Sequence, residues 1–252
     1  MQSTIWMLKH WKKVLNLKLN NLNENNLKSN NLNNIDINNS KASNINPKDL
    51  QLYAITDRHW LNGRTLAEQV RECLEGGATI LQIREKNLPE NEFLEEAKEI
   101  QALCKEFKIP FIVNDNINIA AEIKADGVHV GQEDMDAKKV RDMLGENAIL
   151  GVSASTVEEA LKAEKDGADY LGVGAVFPTS TKGDADSVTF ETLKEICEAV
   201  SIPVVAIGGI SADNLLKLKG SGIDGVSVIS AIFASDDITA ATKKLKELTE
   251  KL

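Results

Sequence analysis

Two aspartates, Asp115 and Asp134, each follow a short apolar run, and Arg84 and Lys86 follow another. Lys182 stands in a loop of consecutive hydroxyls, Thr179-Ser180-Thr181. A pair of carboxylates that leaves room for water and phosphate is how Mg²⁺ is usually held in phosphoryl chemistry. Neighbouring cations suit the phosphate itself. A lone aspartate at a strand end is more often a turn or helix-cap residue, and a lone Ser/Thr loop is more often a solvated turn. Here both features come with three cations and a glycine pair, Gly208-Gly209, that lets backbone N–H groups approach a ligand. Two anion sites follow: one at the aspartates with Arg84, Lys86 and Lys182, another at Thr179–Thr181, Gly209 and Ser230.

What must position these residues is legible as alternation. Short β-type runs cover Gln51–Thr56, Ile80–Arg84, Pro110–Asn114, Gly127–Gly131, Ile149–Ala154, Tyr170–Val176, Pro203–Gly208 and Gly225–Ser230. Between them, apolar residues recur at three- and four-residue spacing. Phe93, Ala97, Ile100, Cys104 and Phe107 make one such helix, and Phe190, Leu193, Ile196 and Cys197 another. Strands alternating with helices imply right-handed crossovers and a parallel sheet. Eight units in about 200 residues predict an α/β fold of the closed (β/α)₈ TIM-barrel type, with an open doubly wound sheet second. No G-x-G-x-x-G follows the first strand, which argues against a dinucleotide site. In a barrel every residue named above falls on the C-terminal face, together with Gln82, Asn114 and Ser153. His129, within GVHVG, reads as a core or inward-pointing histidine because no nucleophile–base pattern surrounds it.

Composition divides the chain. Residues 16–46 hold 14 Asn and no aromatic residue, too little apolar surface to offset the entropy of ordering. Residues 1–48 are therefore expected to be a disordered or loosely helical Asn-rich extension, and residues 49–252 the catalytic barrel. The extension carries 7 Lys and 2 acidic residues; the remainder carries 22 basic and 36 acidic ones. An acidic body argues against nucleic-acid binding. No run of residues is apolar enough to span a bilayer, so no membrane partner is expected. Cys73, Cys104 and Cys197 are odd in number and far apart. They read as reduced thiols of a cytoplasmic protein.

The motifs LYAITD, ILQIREK, FIVND, ADGVHVGQED, GVSASTVEEA, YLGVGAVFPTSTK, VVAIGGI and GVSVISAI run in order across residues 50–245. Together they closely resemble the thiamine-phosphate synthase family. The resemblance implies a transferase that joins hydroxymethylpyrimidine diphosphate to thiazole phosphate carboxylate, giving thiamine phosphate, pyrophosphate and CO₂. Its partners would be those two small phosphorylated substrates, and a homo-oligomer is compatible with it. Carried over by position, it puts the pyrimidine diphosphate at Gln82, Ile83, Arg84, Glu85, Lys86, Asn114, Ser153 and Lys182. One Mg²⁺ per subunit would sit on Asp115 and Asp134. The thiazole phosphate would sit on Thr179, Ser180, Thr181, Gly209, Ile229 and Ser230. Arg84, Lys86 and Lys182 would be catalytic. One departure stands out: Asn116 occupies a position that is often Arg in the family. The rivals are a thiazole tautomerase, which has no diphosphate to expel and no use for the aspartates, and a non-catalytic phosphate-binding module.

Overall fold

Runs such as LYAI and ILQI are apolar on both faces, which suits a strand covered by helices outside and packed side chains within. The computed structural model describes residues 44–132, 134–179 and 187–252. Its strands are β1 (Leu52–Ile55), β2 (Ile80–Ile83), β3 (Phe111–Asn114), β4 (Gly127–Val130), β5 (Ile149–Ala154), β6 (Tyr170–Val173), β7 (Val204–Ile207) and β8 (Gly225–Val228). All are parallel, neighbours in sequence pair, and β8 pairs with β1 to close the barrel. The closed sheet, not the open one, is the answer. The expected strands match in number and order; β3 and β5 end where expected, and the other six end one to three residues earlier, where the chain turns out into loops.

Outside lie α1 (Leu66–Glu75), α2 (Glu90–Phe107), α3 (Ile117–Ile123), α4 (Ala137–Leu144), α5 (Val157–Lys165), α6 (Phe190–Ala199), α7 (Ser230–Phe233) and α8 (Ile238–Thr249). Only a 3₁₀ turn, Leu215–Leu218, follows β7. Polar residues start the helices by accepting from otherwise unpaired N–H groups. Thr65 and Glu68 form a reciprocal capping box on α1, and Thr156, Thr189 and Asp237 cap α5, α6 and α8.

Inside the barrel large and small residues alternate. Tyr53 and Tyr170 are both fully enclosed, their rings 5.9 Å apart. Room for them comes from glycines on neighbouring strands. A Cβ on Gly151 would run into the Tyr170 ring and lie 2.5 Å from His129 Nδ1, and one on Gly172 would lie 3.0 Å from His129 Cε1. At the N-terminal end Ile45 and Leu50 join the interior cluster with Tyr53, Ile80, Ile112 and Tyr170, and so plug the barrel. Beside them Arg141 and Asp169 form a buried ion pair of 2.6 Å, with side chains 7% and 4% exposed. Every group there is occupied. Arg141 also donates to the carbonyls of Gly145, Ala148 and Gly167. Asp169 accepts the backbone N–H groups of Asn44 and Leu150.

Candidate active site

Asn114 and His129 are paired across β3 and β4, so the segments after them, carrying Asp115 and Asp134, emerge side by side at the C-terminal mouth. Asp115 takes a left-handed backbone, φ +58°, a region that Asp and Asn enter more readily than other side chains. The turn is pinned by its own N–H donating to the His129 carbonyl at 2.9 Å. Its Oδ2 accepts from Lys86 Nζ and from Asn114 Nδ2, both at 2.6 Å. Asp134 closes a tight turn by accepting the Gly131 N–H on Oδ2 at 2.7 Å. Each carboxylate thus has one oxygen engaged by the protein. Among the described residues no group of three or more His, Cys, Asp and Glu could hold a metal. Two hard oxygens with the rest of the shell left to phosphate and water is the donor set Mg²⁺ prefers.

The ILQIREK segment divides by face. Gln82 points into the barrel and donates from Nε2 to Tyr53 Oη at 2.8 Å. Ile83, fully buried, alternates with it and faces the helices, so it can offer a ligand only backbone. Arg84 N–H donates to the buried Thr56 hydroxyl at 3.0 Å, which fixes where its side chain leaves the strand. Its guanidinium makes no ion pair among the described residues. Glu85 turns away to Arg58 at 3.2 Å, and Arg58 also binds Glu96 at 2.6 Å. Burial raises the Glu85 carboxyl above its ordinary value, and Arg58 opposes that shift. Lys86 is half exposed and completes the Asp115 cluster.

On the other side of the mouth, the hydrogen-bond ladder between β6 and β7 runs on into the loops. Val176 and Phe177 N–H donate to the carbonyls of Ile207 and Gly208 at 3.0 and 3.1 Å. The loop backbone then passes so close to Gly209 that a Cβ there would lie 2.8 Å from the Phe177 oxygen. Gly208 and Gly209 have φ of +102° and +61°, conformations open to glycine. This brings Thr179 to the side of Gly209. Asn214 holds the turn by donating to the Gly209 carbonyl at 2.8 Å. Ile229 and Ser230 follow β8, with Ser230 opening α7. Ser180, Thr181 and Lys182 lie outside the described residues, as does the extension up to residue 43.

Asn116, at the position often Arg in the resembling family, caps α3 by accepting the Ile119 N–H at 3.0 Å. Sequence reasoning also passed over a polar file across the barrel floor. Gln82 meets Tyr53, Tyr53 Oη lies 2.7 Å from Tyr170 Oη, and Tyr170 Oη lies 3.0 Å from His129 Nδ1. His129 Nε2 then lies 3.0 Å from Ser153 Oγ. The signal was present: Tyr53, Gln82, His129, Ser153 and Tyr170 all fall on the inward register of their strands. Thr56, read only as a strand end, is the anchor for Arg84.

The family described as "Thiamine monophosphate synthase" matches residues 52–232. A thiamine-phosphate synthase of Clostridium tetani is 52% identical over 197 residues, spanning 78% of this chain and 94% of that protein. One from Clostridium novyi is 49% identical over 199 residues, 79% of this chain and 98% of its own length. Among solved structures, a thiamine phosphate pyrophosphorylase from Pyrococcus furiosus superposes with a TM-score of 0.76 at 44% identity, covering 81% of this chain and 98% of that one. Because those likenesses run the length of the barrel and take in every described strand, the chain belongs to the thiamine monophosphate synthase family.

Proposed function

We propose that the C-terminal mouth is where this thiamine-phosphate synthase, a transferase, performs its reaction, with the chemistry divided between two lobes. The lobe at Asp115 and Asp134 receives the pyrimidine diphosphate; the lobe at Thr179, Gly209 and Ile229-Ser230 receives the phosphate of the carboxylated thiazole. The observation that carries the reading is the cluster of Lys86, Asn114 and Asp115 beside Arg84, all at adjacent strand ends. Cations and carboxylates so mixed suit a highly charged leaving group and a metal together.

In the reaction the bond between the pyrimidine methylene carbon and the diphosphate oxygen breaks, and its electrons leave with pyrophosphate. The electron-rich aminopyrimidine supports the positive charge left on the methylene. A thiazole nitrogen then forms the new C–N bond, and loss of CO₂ restores an aromatic ring. Departure of the diphosphate is limited by charge. Arg84 and Lys86, with Lys182 as the third cation the family resemblance implies, meet the negative charge as it develops. Mg²⁺ held by Asp115 and Asp134 would neutralise the same oxygens. Asn114 and Lys86 fix the Asp115 carboxylate, so one oxygen is presented outward. Holding both substrates in one cavity replaces a bimolecular encounter. No side-chain base is required.

Among the described residues no helix is long and apolar enough to cross a membrane. The three cysteines form no disulfide, which supports a cytoplasmic setting. The test is an assay with both phosphorylated substrates and Mg²⁺, scored for thiamine phosphate, with EDTA as control. Product that disappears with EDTA is expected. Thiazole isomerisation that persists in EDTA, without condensation, would replace this reading with a tautomerase.

A further inference from the structure

The floor beneath the mouth is a single file of hydrogen-bonding groups contributed by five strands, from Gln82 through Tyr53, Tyr170 and His129 to Ser153. Each middle member is limited. A phenol has one proton to give, and a neutral imidazole has one N–H and one bare nitrogen. Such a file can run in only one of two directions, and its ends decide which. At the inner end Gln82 presents its amide nitrogen, a donor, to Tyr53 Oη. Tyr53 must then give its own proton to Tyr170, and Tyr170 its proton to His129 Nδ1. The His129 proton is left on Nε2, facing Ser153 Oγ.

The outer end requires the same polarity. Ser153 is half exposed at the mouth, and Gln132 anchors it by donating from its side chain to the Ser153 carbonyl. A diphosphate there accepts hydrogen bonds and gives none, so the hydroxyl must donate to it. With its one proton committed outward, Ser153 can only accept from His129. The two ends agree. Both phenols are enclosed, and burial raises them above their ordinary values, so each remains a neutral O–H.

We propose that Gln82, Tyr53 and Tyr170 are positioning residues: they form a polarised relay that keeps the His129 proton on Nε2 and thereby commits the Ser153 hydroxyl proton to the substrate's diphosphate. The inference rests on the reading of this mouth as the diphosphate lobe. The relay explains why a part-buried histidine beneath the mouth is wired to a residue at the site, and why an amide rather than an apolar side chain ends the file.

The test reads the proton directly. The chain has three histidines, His10, His59 and His129; ¹⁵N-histidine NMR of the full chain, with His129→Gln to identify the His129 signals, reports which nitrogen is protonated. Nε2–H is expected in the unmodified protein, with no substrate needed. Nδ1–H there would overturn the proposal, whatever the fate of the synthase activity. Gln82→Glu, read at a pH where its carboxylate is ionised, replaces the donor by an acceptor three links from His129 and is expected to reverse the file, moving the His129 proton to Nδ1. Adding Tyr53→Phe should cut the file and restore Nε2–H. Inorganic pyrophosphate with Mg²⁺, titrated calorimetrically, completes the test. Gln82→Glu should weaken binding about tenfold, the size of one hydrogen bond to a charged group, yet have no further effect once Ser153 is alanine. An equal loss in the Ser153→Ala background would show that the effect bypasses Ser153 and would sink the relay. Nε2–H with a reversible file but no condensation of the two substrates would sink the synthase reading alone.

Discussion

The two ends of this barrel treat charge in opposite ways. At the N-terminal end the Arg141–Asp169 pair is closed off, 7% and 4% exposed, and its donors and acceptors meet five backbone carbonyls and amides besides each other. At the C-terminal end Lys86 and Asp115 are 51% and 27% exposed. There the carboxylate has one oxygen held by Lys86 and Asn114. Saturation is what a buried ion pair needs to offset its desolvation. Incomplete satisfaction is what a binding site needs, since the missing partner is the ligand. The same chemistry is used in opposite ways: one end commits its charges to the fold, and the other leaves them partly exposed for the substrate role proposed above.

The comparison can be broken most forcefully at the closed end. Asp169→Ala leaves a buried guanidinium without its counter-ion and should cost about 3–5 kcal/mol of stability, read as a drop in the urea midpoint. A loss under about 1 kcal/mol would mean that the pair is not the clamp its geometry describes. At the open end Asp115→Ala should lower kcat by on the order of 10²-fold or more at saturating Mg²⁺ while leaving the midpoint nearly unchanged. A change under tenfold would remove Asp115 from the metal role. Asn116 sits where the two kinds of demand meet. Asn116→Arg forfeits the α3 cap and should cost about 1 kcal/mol, measurable by denaturation, while the added cation lowers KM for the diphosphate substrate. An unchanged KM would show that this position does not reach the site.

The smallest effect at neutral pH concerns the thiols. Burial pushes Cys73 and Cys197 up to about 12, so neither is a thiolate near pH 8. Alkylation of Cys73 in the native chain should be slower than in urea by orders of magnitude, because burial both hides the sulfur and keeps it protonated. Comparable rates would place Cys73 at the surface. As pH rises past 9 the unfolded chain releases these protons first, so stability should fall between pH 9 and 12.

The barrel was legible because its signal is repeated: eight apolar runs, each ending in polar or glycine residues, make one architecture hard to mistake. Strand ends were less legible. Val176 and Phe177 look like strand, and they do continue the hydrogen bonding to the β7 side, but Gly208, at φ +102°, turns the chain out of the ladder there. Within the site, Asp115 and Lys86 were recoverable as residue types at strand ends, whereas their 2.6 Å contact depends on a left-handed turn that no local pattern announces. The side-chain partner of Glu85, Arg58, comes from a different unit of the barrel, a pairing that no local pattern announces. The sequence neighbours of His129, Val128 and Val130, are apolar. Its actual neighbours, Tyr170 and Ser153, come from other strands, and only the inward register of three strands read together would have joined them.

Gly151 and Gly172 carry a further consequence. Because they yield their volume to His129 and Tyr170, the barrel interior here is filled by side chains that interlock and cannot be exchanged one at a time. A bulkier residue at either glycine displaces a ring, and a smaller one at Tyr170 leaves a void that the glycines cannot fill. With the pyrimidine placed at this mouth as proposed above, redesign for a different one is therefore a problem for the rim, not for these interlocked rings. The floor is a fixed gauge against which any new substrate must be cut.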